Sequence, residues 1–351
     1  MKILIIGPSW VGDMVMSQGL YIELQRQYPD AKIDVLAPAW CKPILERMPQ
    51  VNQALEMPLG HGQFDLKSRY KIGKSLREVQ YDKAYVLPNS AKSALIPLFA
   101  RVPERLGWKG EMRFGLLNDV RTNKKAFQYM LERYVALAHP KAEMTGSGCL
   151  GELSSLPFPS LQVVESSQQE AMEQFGLNNQ RPVLGLCPGA EFGPAKRWPD
   201  NHFATAATAM IKQGYQVWLF GSAKDREVTQ KIIEQVPVNM QQHCFNLAGD
   251  TSLIQAVDLI GACRTVVSND SGLMHVAAAV GCNVVAVYGS SSPKYTPPLT
   301  NKLAIINTDI ECRPCFERTC PKQHLKCLTE LMPSRVISAI EQFDVISQGK
   351  I

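Results

Sequence analysis

The sequence lacks any apolar run long enough to span a membrane, and it has no internal repeat or low-complexity tract. No uninterrupted apolar stretch approaches the ~18 residues that a spanning helix needs. The first apolar run, which follows Lys2, breaks at Gly7-Pro8 and is too short for the core of a secretion signal. Six of the ten cysteines stand singly in apolar contexts, which is typical of reduced core residues. These features predict a cytoplasmic protein whose contact with any membrane is peripheral.

Two motifs of nucleotide-binding enzymes are also missing. There is no Asp-x-Asp triplet, the usual carboxylate pair that holds a metal ion against donor phosphates. A Gly-x-Gly-x-x-Gly match occurs at residues 146–151, but no predicted strand precedes it and no predicted helix follows it. The sequence therefore predicts neither a metal site for the phosphates nor a dinucleotide cofactor.

The length and composition predict two domains. With 351 residues, of which 45% are apolar and 20% charged, the chain is globular and exceeds the size of one hydrophobic core. Short β-rich runs alternate with amphipathic stretches over residues 1–165 and again over 180–332, as in parallel sheets covered by helices. Within the first domain, helical stretches are predicted over residues 14–27 and 40–48. We expect an α/β protein with two Rossmann-like domains facing a cleft, followed by a carboxyl-terminal helix over 333–351.

Basic side chains are concentrated in the first half of the chain. The formal charge is +5, and residues 66–125 contain 14 lysines and arginines against 5 aspartates and glutamates. Two explanations of this segment are equally good: a solvated basic face, or a surface of the first domain that binds an anionic partner. Both interpretations stay open from the sequence.

Three segments directly follow predicted strands, where open α/β sheets bind ligands. The first, residues 7–13, ends in Asp13, which is either a helix cap or a functional carboxylate. The second, residues 268–275, opens a helix whose N–H groups and dipole suit a diphosphate. In this segment, Asp270 fits a helix N-cap as well as a ligand-binding group. A lone histidine such as His275 is more often packed in the protein than catalytic. The third contains Lys196, either a surface lysine or a point charge for a phosphate.

Together these segments suit glycosyl transfer from a nucleoside diphosphate sugar. The nucleoside diphosphate is already a good leaving group, so a single base for the acceptor hydroxyl suffices. A carboxylate with the ordinary aspartate pKa of about 3.9 would take the proton as the C–O bond forms. Asp13 is the candidate base, and Lys196 with the helix amides would neutralise the phosphates.

The sequence resembles the bacterial lipopolysaccharide heptosyltransferases of glycosyltransferase family 9 over nearly its whole length. The segments that carry the resemblance are KILIIGPSWVGDMVMSQ, APAWCKP, MPLGHG, YVLPNSAKSALIP, GWKGEMRFGLLNDVR, CPGAEFGPAKRWP, LFGSAKD and NDSGLMHVAAA. The resemblance implies a GT-B fold and an inverting, metal-independent transfer of L-glycero-D-manno-heptose from ADP-heptose. The implied acceptor is the first heptose of the Kdo2-lipid A inner core, at the inner face of the inner membrane.

The resemblance also implies roles for individual residues. Asp13 matches the family's proposed general base, and Lys196 matches a lysine that contacts the donor phosphates. The turn that is implied to hold the donor contains Asp270, Ser271, Gly272 and His275. Asp225 is a candidate for the acidic residue that binds the ribose of ADP.

Two regions leave the residue assignments open. Lys92, Lys109 and Arg113 lie in segments that match the family, but none can be assigned to the acceptor. Near the carboxyl terminus, four cysteines and His324 lie close together: Cys312, Cys315, Cys320 and Cys327. We interpret them as packed, reduced thiols, with a structural zinc site as the alternative.

Other functions are compatible with parts of this pattern. A family 9 transferase with a different acceptor would share the donor turn. A sugar-nucleotide epimerase would share the double Rossmann-like scaffold, and a non-catalytic binder of lipopolysaccharide core would share the basic first domain. Dependence of ADP release on an acceptor separates the transferases from the other two.

Overall fold

The chain forms two compact units in a computed structural model that describes residues 1–60 and 63–347. The first unit contains residues 1–162 together with 294–296. The second contains residues 163–293 and 297–351. Within the described residues, no helix is both long and apolar enough to cross a membrane.

The first unit is built on a six-stranded parallel sheet in the order β3-β2-β1-β4-β5-β6. Its elements are β1 Lys2–Ile6, α1 Val11–Gln27, β2 Lys32–Pro38, α2 Lys42–Leu45, β3 Val51–Met57, α3 Leu66–Ser75, β4 Lys83–Val86, α4 Ala91–Phe99, β5 Glu104–Trp108, β6 Asp119–Arg121 and α5 Met130–Val135. The central strands are apolar on both faces because helices cover both sides. Their side chains, including Leu4, Ile6 and Val86, form the core.

The second unit repeats this architecture with the strand order β12-β11-β10-β7-β8-β9. Its elements are α6 Glu165–Gln174, β7 Val183–Cys187, α7 Asp200–Lys212, β8 Gln216–Leu219, α8 Arg226–Glu234, β9 Cys244–Asn246, α9 Leu253–Gly261, β10 Thr265–Asn269, α10 Gly272–Ala279, β11 Asn283–Val287, β12 Leu303–Ile306, α11 Lys326–Thr329 and α12 Pro333–Ser347. Strands β7 and β10 are completely buried at its centre. If β7 is counted as the first strand, the second sheet has the same strand order as the first sheet. Both orders match the Rossmann order 3-2-1-4-5-6.

The predicted α/β class with two Rossmann-like sheets of the GT-B type is confirmed. The helix predicted near residues 40–48 is shorter, because only Lys42–Leu45 is α-helical. The sequence pattern did not predict β3, β5, β6 or β12, and three of these are edge strands. Residues 348–351 of the predicted carboxyl-terminal helix, and His61 and Gly62 of the MPLGHG segment, lie outside the described residues.

Candidate functional site

The three predicted segments lie at the two places where ligands bind in this fold. In each sheet the strand order reverses at the centre, between β1 and β4 in the first unit and between β7 and β10 in the second. The crevice outside the carboxyl ends of such strands is the usual ligand site. The segment with Asp13 follows β1, and the segments with Lys196 and Asp270 follow β7 and β10.

Asp13 lies in the first turn of α1, beside the carboxyl end of β1. Trp10 is the N-cap of this helix, so Asp13 is its third residue. Burial, and to a lesser degree the charge of Asp13, raise the pKa of the Cys41 thiol to about 12. Burial also raises the pKa of Tyr134, and Asp13 contributes in the same direction. Both neighbours are therefore uncharged at neutral pH, so Asp13 is the candidate base among these three side chains.

A lysine that the sequence did not single out lies in the same crevice. The Lys124 ammonium donates a hydrogen bond to Oδ1 of Asn89, 3.2 Å away, in the loop after β4. Partial burial lowers the pKa of Lys124, and the positive charges of Arg133 and Arg113 lower it further. The charge of Asp13 acts in the opposite direction. Lys124 is thus a partly buried cation with two other positive charges nearby, close to the candidate base.

Among the three basic residues of the family-like segments, Lys92, Lys109 and Arg113, only Arg113 is buried and has a structural role. It is 1% exposed, and its guanidinium donates to the carbonyl oxygens of Pro88, at 2.6 Å, and Trp108. Burial lowers its pKa to about 10. Lys109 is exposed and Lys92 is half-buried. Arg113 therefore shapes the loop after β4, which leaves the two lysines as the reachable charges.

In the second unit, Lys196 and Asp270 form an ion pair. The distance from Nζ of Lys196 to Oδ2 of Asp270 is 2.5 Å, and the two side chains are 16% and 6% exposed. The ammonium also lies over the ring of Phe192, 4.9 Å from its centroid. The two residues are 74 positions apart. Neither is an isolated surface group, and the N-cap of α10 is Ser271, not Asp270.

The remaining residues of the predicted donor turn lie on α10. Gly272 is the first residue of this helix, directly after the N-cap. The Ser271 hydroxyl is 3.3 Å from the hydroxyl of Ser268. His275 is 5% exposed, and its burial lowers its pKa to about 4, against an opposing effect of Asp270. His275 is therefore a neutral imidazole at physiological pH.

The loop that carries Lys196 is fixed by Asn269, whose role the sequence did not reveal. The side-chain amide of Asn269 donates to the carbonyl of Pro188 at 2.6 Å, and its Oδ1 accepts from the backbone N–H of Trp198 at 3.1 Å. Gly193 permits this loop to approach the segment that contains Arg318, because a Cβ at Gly193 would lie 2.5 Å from the carbonyl oxygen of Arg318. Both ends of the loop are thus tied to the last residue of β10.

Two further serines lie beside this loop. In the described part of the chain, the buried hydroxyls of Ser290 and Ser291 have no hydrogen-bond partner. The N–H of Ser290 donates to the carbonyl of Ala195 at 3.1 Å, next to Lys196. A buried hydroxyl without a partner costs free energy, so these two groups have unused hydrogen-bonding capacity beside the loop of Lys196.

Asp225, the ribose candidate, follows β8 and takes part in a helix start. Its carboxylate accepts from the backbone N–H of Ser222 at 2.9 Å and from the Ser222 hydroxyl at 2.7 Å. These bonds form a capping box for the helical turn that begins there. Its assignment to the ribose stays a prediction.

The cysteine cluster gives no support to the zinc alternative. All four cysteines are free thiols, with Cys327 buried and the other three partly exposed. Among residues 1–60 and 63–347, no group of three or more histidine, cysteine, aspartate or glutamate side chains could hold a metal ion.

Comparisons with known proteins identify the family. Residues 69–326 match the model of glycosyltransferase family 9 (heptosyltransferase). The chain is 53% identical to lipopolysaccharide heptosyltransferase 2 of Escherichia coli K12 over 341 residues, which cover 97% of each chain. It is 56% identical to lipooligosaccharide heptosyltransferase 2 of Haemophilus influenzae Rd over 310 residues, 87% of this chain and 88% of the relative.

A solved structure agrees with these relatives. The structure of E. coli ADP-heptose LPS heptosyltransferase II superposes with a TM-score of 0.89 at 51% identity, covering 99% of this chain and 100% of the other. The resemblance predicted from the motifs is confirmed. The chain therefore belongs to glycosyltransferase family 9, the heptosyltransferases, and is a glycosyltransferase.

Proposed function

We propose that this protein transfers L-glycero-D-manno-heptose from ADP-heptose to the first heptose of the Kdo2-lipid A inner core, with inversion at the anomeric carbon. The observation that carries the proposal is identity above 50%, over almost the full length, to relatives named lipopolysaccharide or lipooligosaccharide heptosyltransferase 2. A family 9 transferase with a different acceptor is the less favoured alternative. The reaction would take place in the cytoplasm, where the lipid-anchored acceptor meets the inner membrane surface.

In the proposed mechanism Asp13 is the general base. The acceptor hydroxyl oxygen attacks the anomeric carbon of the heptose from the side opposite the diphosphate. The bond from that carbon to the diphosphate oxygen breaks, and ADP leaves with the electron pair. The hydroxyl proton passes to the carboxylate of Asp13 as the new C–O bond forms. The buried, neutral Cys41 and Tyr134 beside Asp13 do not compete for this proton.

The donor would bind at the carboxyl ends of β7 and β10. The N–H groups at the start of α10, after Ser271, point where a diphosphate would lie, and the helix dipole favours its charge. Lys196 would contact the phosphates, with Asp270 orienting its ammonium before the donor arrives. Gly272 leaves room at the first turn, and His275 would act as a neutral hydrogen-bonding group. These protein groups neutralise the diphosphate without requiring a metal ion.

Lys124 would bind an anionic group of the acceptor beside Asp13. We expect Lys124→Met to raise the KM for the acceptor about 10–100-fold, since a hydrogen bond to a charged group contributes about 1.5–3 kcal/mol. Affinity for ADP should not change, because Lys124 is in the first unit. Steady-state kinetics and calorimetry with ADP measure the two effects. Lys125→Met, at the exposed neighbouring position, is the matched control. An unchanged acceptor KM in Lys124→Met would remove this residue from the acceptor site.

The overall function is tested by ADP release from ADP-heptose by the purified protein in the presence of EDTA. We expect release that depends on heptosyl-Kdo2-lipid A, with a product heavier by one heptose in mass spectrometry. Release without any acceptor would point to donor hydrolysis or epimerisation instead. No release with this acceptor, but release with another core oligosaccharide, would support the alternative specificity.

A further inference from the structure

Residues 312–320 are fastened to one loop of the proposed donor site. This segment follows β12, and the side chain of Arg313 donates from Nε to the carbonyl oxygen of Gly289 at 2.8 Å. Nη2 of the same guanidinium donates to the carbonyl oxygen of Ser291 at 3.3 Å. Both acceptors lie in the loop after β11. A planar side chain with several donors therefore fixes the segment to this loop.

Backbone hydrogen bonds tie the same segment to a second loop. The N–H of Phe316 donates to the carbonyl oxygen of Ser290 at 2.8 Å, in the loop after β11. The carbonyl oxygen of Arg318 accepts from the N–H of Ala195 at 3.1 Å, in the loop after β7. The segment thus contacts both loops, and it places the backbone of Arg318 next to the loop that carries Lys196.

The side chain of Arg318 shares an aromatic ring with Lys196. The guanidinium carbon of Arg318 lies over the ring of Phe192, 5.3 Å from its centroid, and Nζ of Lys196 lies 4.9 Å from the same centroid. Both distances are in the range of cation–π attraction. Two charges that are each about 5 Å from one point are at most about 10 Å apart, close enough to interact in about 0.1 M salt. The ring therefore keeps two like charges close together.

The carboxylates near these cations have other partners. Asp270 pairs with Lys196 at 2.5 Å, and Glu191, on the same loop as Lys196, pairs with Lys224 at 3.0 Å. In the part of the chain that the structure describes, neither carboxylate is within ion-pair distance of Arg318, which is exposed. Arg318 therefore adds an accessible positive charge that these two carboxylates do not neutralise.

Two buried hydroxyl groups lie next to the same loop. Ser290 and Ser291 are 2% and 6% exposed, and their hydroxyls have no hydrogen-bond partner among residues 1–60 and 63–347. The N–H of Ser290 donates to the carbonyl oxygen of Ala195, so the two loops are in direct contact. Each hydroxyl can donate one hydrogen bond to a phosphate oxygen. The site thus combines excess positive charge with two unused donors.

We propose that Arg318 is a second diphosphate-binding cation of the donor site, held beside Lys196 by the ring of Phe192. The inference rests on the proposed function, because ADP-heptose supplies the diphosphate. The charge of Lys196 is partly offset by Asp270, so a second cation strengthens the attraction for a diphosphate. A guanidinium can also bind two phosphate oxygens at once, whereas an ammonium acts as a point charge. The same charge stabilises ADP as it leaves with the electron pair of the broken bond.

Calorimetry with ADP, inorganic pyrophosphate and adenosine tests the inference. We expect Arg318→Gln to weaken ADP binding about tenfold, the lower range for a hydrogen bond to a charged group, because the side chain is exposed. Pyrophosphate should lose affinity by the same factor, and adenosine should bind as before because it has no phosphate. Arg318→Lys keeps the charge but loses the two-pronged contact, so it should recover part of the affinity. Both variants keep the carbonyl that accepts from Ala195, so thermal stability should not fall.

Lys322→Gln is the matched control, because it removes another exposed cation from the chain just beyond Cys320. It should bind ADP and pyrophosphate like the unmodified protein. An equal loss in Lys322→Gln and Arg318→Gln would reveal a general effect of net charge and overturn the inference. Unchanged ADP affinity in Arg318→Gln would also overturn it. So would an equal loss for adenosine, which would indicate a distorted loop and not a lost phosphate contact.

Phe192→Leu tests the role of the ring in a double-mutant cycle. Without the ring, the guanidinium is no longer held beside Lys196. Arg318→Gln should therefore weaken ADP binding less in the Phe192→Leu background than in the unmodified protein. If the effects of the two substitutions simply multiplied, the role assigned to Phe192 would be wrong.

Acceptor-dependent transfer by the unmodified protein decides the proposed function separately. If Arg318→Gln binds ADP about tenfold more weakly while no acceptor yields a product, the inference holds and the proposed function fails. If transfer takes place but ADP and adenosine bind the unmodified protein equally well, the inference fails and the proposed function stands.

Discussion

Asp13→Asn is expected to lower kcat about 10²–10⁴-fold, the typical contribution of a general base. The amide has the same shape as the carboxylate but cannot accept the proton of the acceptor hydroxyl. Neither Cys41 nor Tyr134 can replace it, because both are held in neutral, protonated forms by burial. ADP affinity should be preserved, since the proposed donor residues belong to the second unit. Single-turnover kinetics with saturating ADP-heptose and acceptor measure the effect.

The control for Asp13→Asn is the same substitution at another helix start. Asp200 lies in the first turn of α7, as Asp13 lies in the first turn of α1. Loss of a negative charge at such a position costs about 0.3–1 kcal/mol of stability through the helix dipole. Asp200→Asn should therefore match Asp13→Asn in thermal stability but retain normal turnover. Near-normal turnover in Asp13→Asn would show that another group takes the proton.

Lys196→Met is expected to weaken ADP binding about 10–100-fold and to destabilise the second unit. The loss of affinity follows from one missing charge-assisted hydrogen bond to a phosphate, about 1.5–3 kcal/mol. The loss of stability follows because the carboxylate of Asp270, only 6% exposed, is left buried without its ion-pair partner. Breaking a buried pair in this way costs about 3–5 kcal/mol. Calorimetry with ADP and urea unfolding measure the two quantities.

A double variant separates the two effects of Lys196. Lys196→Met/Asp270→Asn removes both charges, so most of the stability should return while ADP binding stays weak. Lys224→Met is the control, because Lys224 pairs with Glu191 at 3.0 Å in the same unit but both side chains are mostly exposed. Such a pair contributes about 0–1 kcal/mol. Lys196→Met with unchanged ADP affinity would exclude a contact between this lysine and the phosphates.

The fold could be predicted from the sequence because its central strands are short apolar runs separated by amphipathic helices. Two of the missed edge strands, β3 and β6, were missed for a physical reason. Strand β3 has a mixed exposed and partly buried pattern, and β6 is three residues long, so neither gives a strong hydrophobic signal. These strands form through pairing with the preceding strand of the sheet, which the pattern of the short segment alone does not show.

The position of the candidate site could also be predicted, because the rule that ligands bind at the carboxyl ends of parallel strands uses only strand order. The contacts between the side chains of the site could not be predicted from the sequence. Lys196 meets Asp270 across 74 residues, and Asn269 joins the loop after β7 to β10. Lys124 reaches the crevice of Asp13 through the loop after β6, a strand absent from the sequence prediction. Such encounters depend on loop conformation, which local periodicity does not encode.

The two hydrogen bonds of the Asn269 side chain have a consequence for the thermodynamics of donor recognition. They immobilise the backbone on both sides of Lys196 through contacts within the protein itself. The conformational entropy of that loop is therefore lost during folding, and little of it is left to lose when ADP-heptose binds. In the proposed donor site, binding would exchange the counter-ion of the Lys196 ammonium, from the carboxylate of Asp270 to a phosphate. The proposed donor site would in this respect be a preorganised receptor.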